Sequence, residues 1–161
     1  MKRTFHGMLE EFMLYWKNYV FQSLFAALTI SVVLLFLNLQ NAIIIASIGS
    51  TAFIIFAMPN SVTAKPRNVI GGQLVGFFSG ALCPLIPHSL FWQSITVYTL
   101  AVGLSIFIMV IIDTEHAPAS GTALGVAITG FSLRALIGLL TSVIVLSLVH
   151  HFFKPHLRDL I

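Results

Sequence analysis

Polarity along this chain changes on the scale of whole membrane spans. Four apolar runs, Phe21–Leu39, Ala42–Met58, Val69–Pro87 and Phe91–Ile112, fall in the range of about 17–25 residues that crosses a bilayer as a helix. A fifth stretch, Pro118–Phe153, admits two readings. It holds two short spans turning near Gly130-Phe131-Ser132-Leu133-Arg134, or a half-helix that stops mid-membrane followed by one full span. Ahead of the first run, Phe5, Met8, Leu9, Phe12 and Trp16 recur at helical spacing with charges between them. That pattern predicts an amphipathic helix, lying on the membrane surface or packed on the bundle. Tyr15, Trp16 and Tyr19 then mark the interface. The predicted fold is all-α: a polytopic membrane helix bundle of about six membrane helices, some short or broken, after the amphipathic N-terminal helix. Residues 1–161 form one integral membrane domain, with 1–20 interfacial, 21–153 in membrane helices and 154–161 a cytoplasmic tail.

Two polar interruptions share one design. Pro59-Asn60-Ser61-Val62-Thr63-Ala64-Lys65-Pro66-Arg67-Asn68 runs into Val69-Ile70-Gly71-Gly72, and Asp113-Thr114-Glu115-His116-Ala117-Pro118-Ala119-Ser120-Gly121-Thr122 runs into Ala123-Leu124-Gly125. Each places a proline at the first turn of a helix, where unpaired N–H groups and the positive end of the helix dipole favour an anion. Small residues recur at spacing of four beyond each start, as Gly72, Gly76 and Gly80 and as Ala119, Ala123 and Ala127. Such faces let two helices approach closely.

Composition makes membrane insertion firm: hydrophobic residues are 58% of the chain and charged residues only 8%, against roughly 25% charged in soluble domains. The net charge of +3 is confined to ends and loops, which fits lipid headgroups rather than nucleic acid. With six crossings and a cytoplasmic N-terminus, Lys2, Arg3, Lys17, Lys65, Arg67, Lys154 and Arg158 face inward and only Arg134 faces out, as the positive-inside rule expects. The first twenty residues lack the apolar core of a cleavable signal, so both termini are expected on the cytoplasmic side of a plasma (inner) membrane. The one cysteine, Cys83, reads as a small buried residue.

Ionisable groups at membrane depth are functional candidates. Arg67 either snorkels to phosphates or helps to hold an anion, and Arg134 either snorkels or lines an outer vestibule. Asp113, Glu115 and His116 form a titratable set open to three readings: a solvated helix end, proton coupling through Glu115 or His116, or a metal site, for which no spacing is complete. His150, His151 and His156 read as an interfacial anchor. No nucleophile elbow, phosphate loop or catalytic carboxylate pair is present, so neither an enzyme nor a cofactor is expected.

At the two polar motifs the chain resembles the HPP family of small integral membrane proteins. Lys65-Pro66-Arg67-Asn68-Val69-Ile70-Gly71-Gly72 is similar to that family's Pro-Arg-Asn-Val-Ile-Gly-Gly signature. His116-Ala117-Pro118-Ala119-Ser120-Gly121-Thr122-Ala123-Leu124 resembles its His-Pro-Pro-Ala-Gly segment, with Ala117 for the first proline and Ser120 for the first glycine. The resemblance covers residues 20–150 and implies four spanning helices, fewer than the hydropathy pattern gives, and for some members nitrite transport. The leading expectation is a transporter or channel for a small anion, a nitrite-like oxyanion first, bound by Arg67, Asn68, Asn60, Ser61, His116, Ser120, Gly121 and Thr122. The rivals are a structural or accessory membrane subunit and a membrane enzyme using Asp113, Glu115 and His116. The expected partners are the anion, the bilayer and further copies of the chain.

Overall fold

The apolar runs become helices because a bilayer leaves no other partner for backbone N–H and C=O groups. The computed structural model describes residues 5–36 and 42–161; Lys2, Arg3 and the connection Asn38–Gln40 lie outside the described residues. The helices are α1 (Phe5–Phe36), α2 (Ala42–Ala57), α3 (Pro66–Ala81), α4 (Phe91–Ile111), α5 (Pro118–Thr129) and α6 (Leu133–Phe153). α1 holds the amphipathic segment and the first span as two helical stretches joined across a kink at Tyr15, whose backbone is not helical (φ −120°, ψ 16°). Four helical segments are long and apolar enough to cross a membrane: Gly7–Leu35, Pro66–Leu85, Phe91–Ile111 and Leu133–His156. The described residues thus form six helices, of which four are long and apolar enough to be full spans. The remaining two, α2 with 16 residues and α5 with 12, extend only about 24 and 18 Å.

Proline and glycine set the boundaries. Pro66 and Pro118 open α3 and α5, where their missing N–H costs nothing. Gly130, at φ 82°, ends α5, and Ser132 caps α6 by accepting from the Ala135 N–H. Pro118–Phe153 therefore resolves as a half-length helix followed by a full one, turning at Gly130–Ser132. At the other sharp turn, Asp113 is the one non-glycine residue with positive φ (55°) among the described residues. Its N–H bonds Val110 O and the Thr114 N–H bonds Met109 O, the Schellman pattern that closes the end of α4.

α5 sits centrally, packed against α2, α3 and α4, and α6 closes the bundle against α1, α2 and α3. The α3–α5 contact uses the small-residue faces. A Cβ built on Gly72 would lie 2.6 Å from His116 Cβ, on Gly76 2.1 Å from Ala119 O, and on Gly80 2.4 Å from Ala123 O. These pairs also fix the register. Ala119 is level with Gly76, so α5 begins about 14 Å further along the bundle than the start of α3. The stretch Thr114–Ala117 fills that distance as a re-entrant connection beside Gly71 and Gly72.

The segment after α6 folds back at the polar-loop end. Tyr19 OH donates to Leu160 O, and the Leu160 N–H donates to Ala57 O at 2.9 Å. Gln22 donates to Phe56 O and Arg158 O and accepts from the Arg158 N–H. The Arg158 guanidinium lies 3.6 Å from the Tyr15 ring centre, at the bend in α1.

Candidate functional site

Inside the bundle, where apolar contacts would be expected, α2, α3, α5 and the connection into α5 bring five polar side chains together. Ser47, Thr51, Gln73, His116 and Thr122 are each at most 5% exposed. α2 presents Ser47 and Thr51 on one face by their spacing of four. α3 supplies Gln73 from between its packing glycines, and the re-entrant connection carries His116 to the level of Gly72.

The hydrogen bonds form a closed set. Gln73 Nε2 donates to Ser47 Oγ and to Thr51 Oγ1, each at 3.1 Å, and Gln73 Oε1 accepts from the Thr122 hydroxyl. Ser47 Oγ lies 2.6 Å from Pro118 O and 2.7 Å from Thr122 Oγ1. His116 Nε2 lies 2.9 Å from Thr51 Oγ1, and His116 Nδ1 lies 3.0 Å from Thr63 O. A carbonyl only accepts, so Nδ1 carries the hydrogen. In this neutral Nδ1–H tautomer, Nε2 accepts from the Thr51 hydroxyl.

A cavity of about 320 Å³ opens beside His116, lined by Thr63, Ile106, Met109, Val110, Glu115, Ala117 and Ser120 as well. Its wall is mostly apolar, with Glu115 as its single acid.

The structure gathers some of the sequence-predicted residues and separates others. His116 and Thr122 belong to the network, and Ser120 reaches only the cavity beside it, its hydroxyl donating to Ala117 O. Gly121 passes 3.9 Å from Ser47 Cβ by the position of a built Cβ. Asn68 is buried and donates to Glu115 O at 3.2 Å, tying α3 to the re-entrant connection. Arg67 lies apart, exposed at the polar-loop end: Nη1 pairs with Asp113 Oδ2 at 3.1 Å and Nη2 donates to Ile112 O at 2.9 Å. Asn60 bonds Asp159, and Ser61 caps the short 3-10 turn Val62–Ala64. The backbone donors expected to face an anion are engaged locally: Val69 N–H with Lys65 O, Ala119 N–H with His116 O, Ser120 N–H with Ala117 O. Asp113, Glu115 and His116 point to three places, an ion pair, a cavity wall and the buried network. Of the other titratable candidates, His150 is buried and donates to Pro59 O. Arg134 is exposed at the opposite end of the bundle.

Ser47, Thr51 and Gln73 were absent from the sequence-based site. The available signal was two hydroxyls four apart in an otherwise apolar α2, and a glutamine between glycines Gly72 and Gly76.

Among the described residues, six helices, four of them long and apolar enough to cross a membrane, around a buried polar centre define a polytopic all-α integral membrane protein. The chain belongs to the HPP family: the description "HPP, transmembrane region" matches residues 13–157. It is also similar to a Dictyostelium discoideum protein named only as a transmembrane protein, with 35% identity over 91 residues, 55% of this chain and 31% of that one. The matched segment thus spans about a third of that relative's length. No solved structure matches the chain.

Proposed function

We propose that this chain is a transporter of a small anion, with a nitrite-like oxyanion as the first substrate to test. The observation that carries this reading is the set of five buried polar side chains at the start of α5, deep in a membrane bundle. Polar groups at such depth are costly and concentrate along substrate paths. A helix that begins inside the bundle aims its positive end at the same place. The network offers neutral amide and hydroxyl groups, which hold an anion weakly enough to release it. Lys65, exposed at the polar-loop end, attracts anions toward the cavity at His116, which Ser120 lines. The grouping of Lys17, Lys65, Arg67, Lys154 and Arg158 at that end supports a cytoplasmic orientation for it in a plasma (inner) membrane. Self-association of this small bundle belongs to the same reading.

A second reading is an accessory membrane subunit, and one observation favours it: every polar side chain of the network is already paired. A satisfied network holds helices together without passing anything. Nitrite uptake into proteoliposomes separates the two. The transport reading expects uptake above protein-free liposomes, lowered about fivefold in Thr122→Val, which loses a buried hydrogen bond worth about 1 kcal/mol. No uptake by the natural chain, with Thr122→Val altering only the melting temperature, leaves the accessory reading.

A further inference from the structure

The His116 network has room for one more proton without moving a heavy atom. In the neutral state the Thr51 hydroxyl donates to Nε2. If Nε2 takes a proton, it becomes a donor and Thr51 Oγ1 must accept. The geometry allows this, because Thr51 Oγ1 also lies 3.0 Å from Ser47 O and its hydrogen can turn there. Thr51 Oγ1 then accepts from both Gln73 and His116, using both lone pairs. Nδ1 keeps its bond to Thr63 O throughout. Each polar atom is satisfied in both states, which an ordinary buried histidine does not achieve.

The surroundings decide when the second state is populated. The titratable and charged groups around His116 are Glu115 on its own connection, Lys65 and Arg67 at the start of α3, and Asp113, which neutralises Arg67. α2 and α5 carry none, and the one on α4 is Tyr98, beside His88 at the opposite end. Apart from Glu115, nothing negative lies on the cavity wall.

We propose that His116 is a proton-binding site coupled to the anion: an anion entering the adjacent cavity supplies the counter-charge that favours the imidazolium, with Thr51 receiving its new hydrogen bond. The proton comes from water reaching the cavity and is taken by the Nε2 lone pair. Linkage is reciprocal, so the proton strengthens anion binding by the same factor as the anion strengthens proton binding. The anion half of this proposal rests on the transport reading.

Side-chain nitrogen NMR of His116 in nanodiscs, titrated with and without sodium nitrite, tests it. The expected spectrum at neutral pH is the Nδ1–H tautomer. Nitrite raises the pH midpoint by at least one unit, a tenfold gain in proton affinity, while the same concentration of sodium sulfate does not. Thr51→Val, close in shape, lowers the midpoint with backbone signals preserved. Glu115→Gln leaves the nitrite effect in place. An Nε2–H tautomer, a midpoint indifferent to nitrite, or one indifferent to Thr51→Val overturns the proposal. Nitrite uptake is scored separately in proteoliposomes: absent uptake overturns the transport reading, whereas an unmoved midpoint overturns the coupling.

Discussion

Asp113 ends α4 in a left-handed conformation that glycine adopts freely and aspartate tolerates. Its side chain meanwhile meets Arg67, itself donating to the carbonyl of Ile112 at the C-terminal end of α4. Asp113→Ala loses the tolerance and the ion pair together and is expected to lower stability by about 1–2 kcal/mol. Asp113→Gly relieves the backbone while losing an exposed pair worth at most about 1 kcal/mol, so its melting temperature in the same detergent stays near the natural one. Equal losses in the two variants would show that the turn is not what holds α4 closed. Arg67 also marks the limit of residue-scale reading from sequence. Its place in the first turn of α3 was legible, and a cation there opposes that helix's dipole. Its compensation is the C-terminal end of α4, where a cation is favourable, and that end lies 45 positions away along the chain. Thr51 was illegible for a different reason. Hydroxyls in apolar helices commonly bond the carbonyl four residues back, as Thr29 and Ser31 do here. Nothing local distinguishes a threonine that does only this from one that also meets a histidine.

At the scale of elements, the small-residue faces were the most legible feature, because spacing of four directly encodes one side of a helix. The partner was legible too, since only α3 and α5 carry such faces after a proline. What spacing does not encode is axial offset, and the offset puts the start of α5 opposite the middle of α3 rather than level with its beginning. Two polar motifs that look equivalent in sequence therefore have different surroundings, one at the surface and one inside. Glycine variants test the contact. Gly76→Ala forces a methyl against the Ala119 backbone, which has no side-chain freedom to yield, and is expected to cost about 1–3 kcal/mol or more. Gly103→Ala on α4 meets nothing within 4 Å and is expected to be neutral or slightly stabilising through helix propensity. Thermal unfolding of both in one detergent decides the matter; matched values would mean that α3 and α5 are not in close contact.

For the whole molecule, apolar composition made the membrane assignment plain, while the return of residues 157–161 across α1 and α2 left no trace in the hydropathy pattern. Two of its hydrogen bonds run to Gln22, a polar residue at the start of the first apolar run. Gln22→Leu removes both of these, together with the bond to Phe56 O on α2, and is expected to expose the segment after Leu157 to limited proteolysis while the helical bundle persists. Unchanged cleavage would show that Leu160 and Asp159 suffice to hold it. The re-entrant connection has an electrical consequence. His116 lies opposite Gly72, about 9 Å beyond the start of α3; with that start at the edge of a hydrocarbon core about 30 Å thick, it would sit nearly a third of the way through. A charge arriving there has already crossed part of the transmembrane voltage. At about 2.3 kcal/mol per charge per 100 mV for a full crossing, that fraction is about 0.7 kcal/mol. On the proposal that His116 binds a proton, its occupancy would act as a voltmeter, shifting about threefold per 100 mV when the polar-loop side is positive.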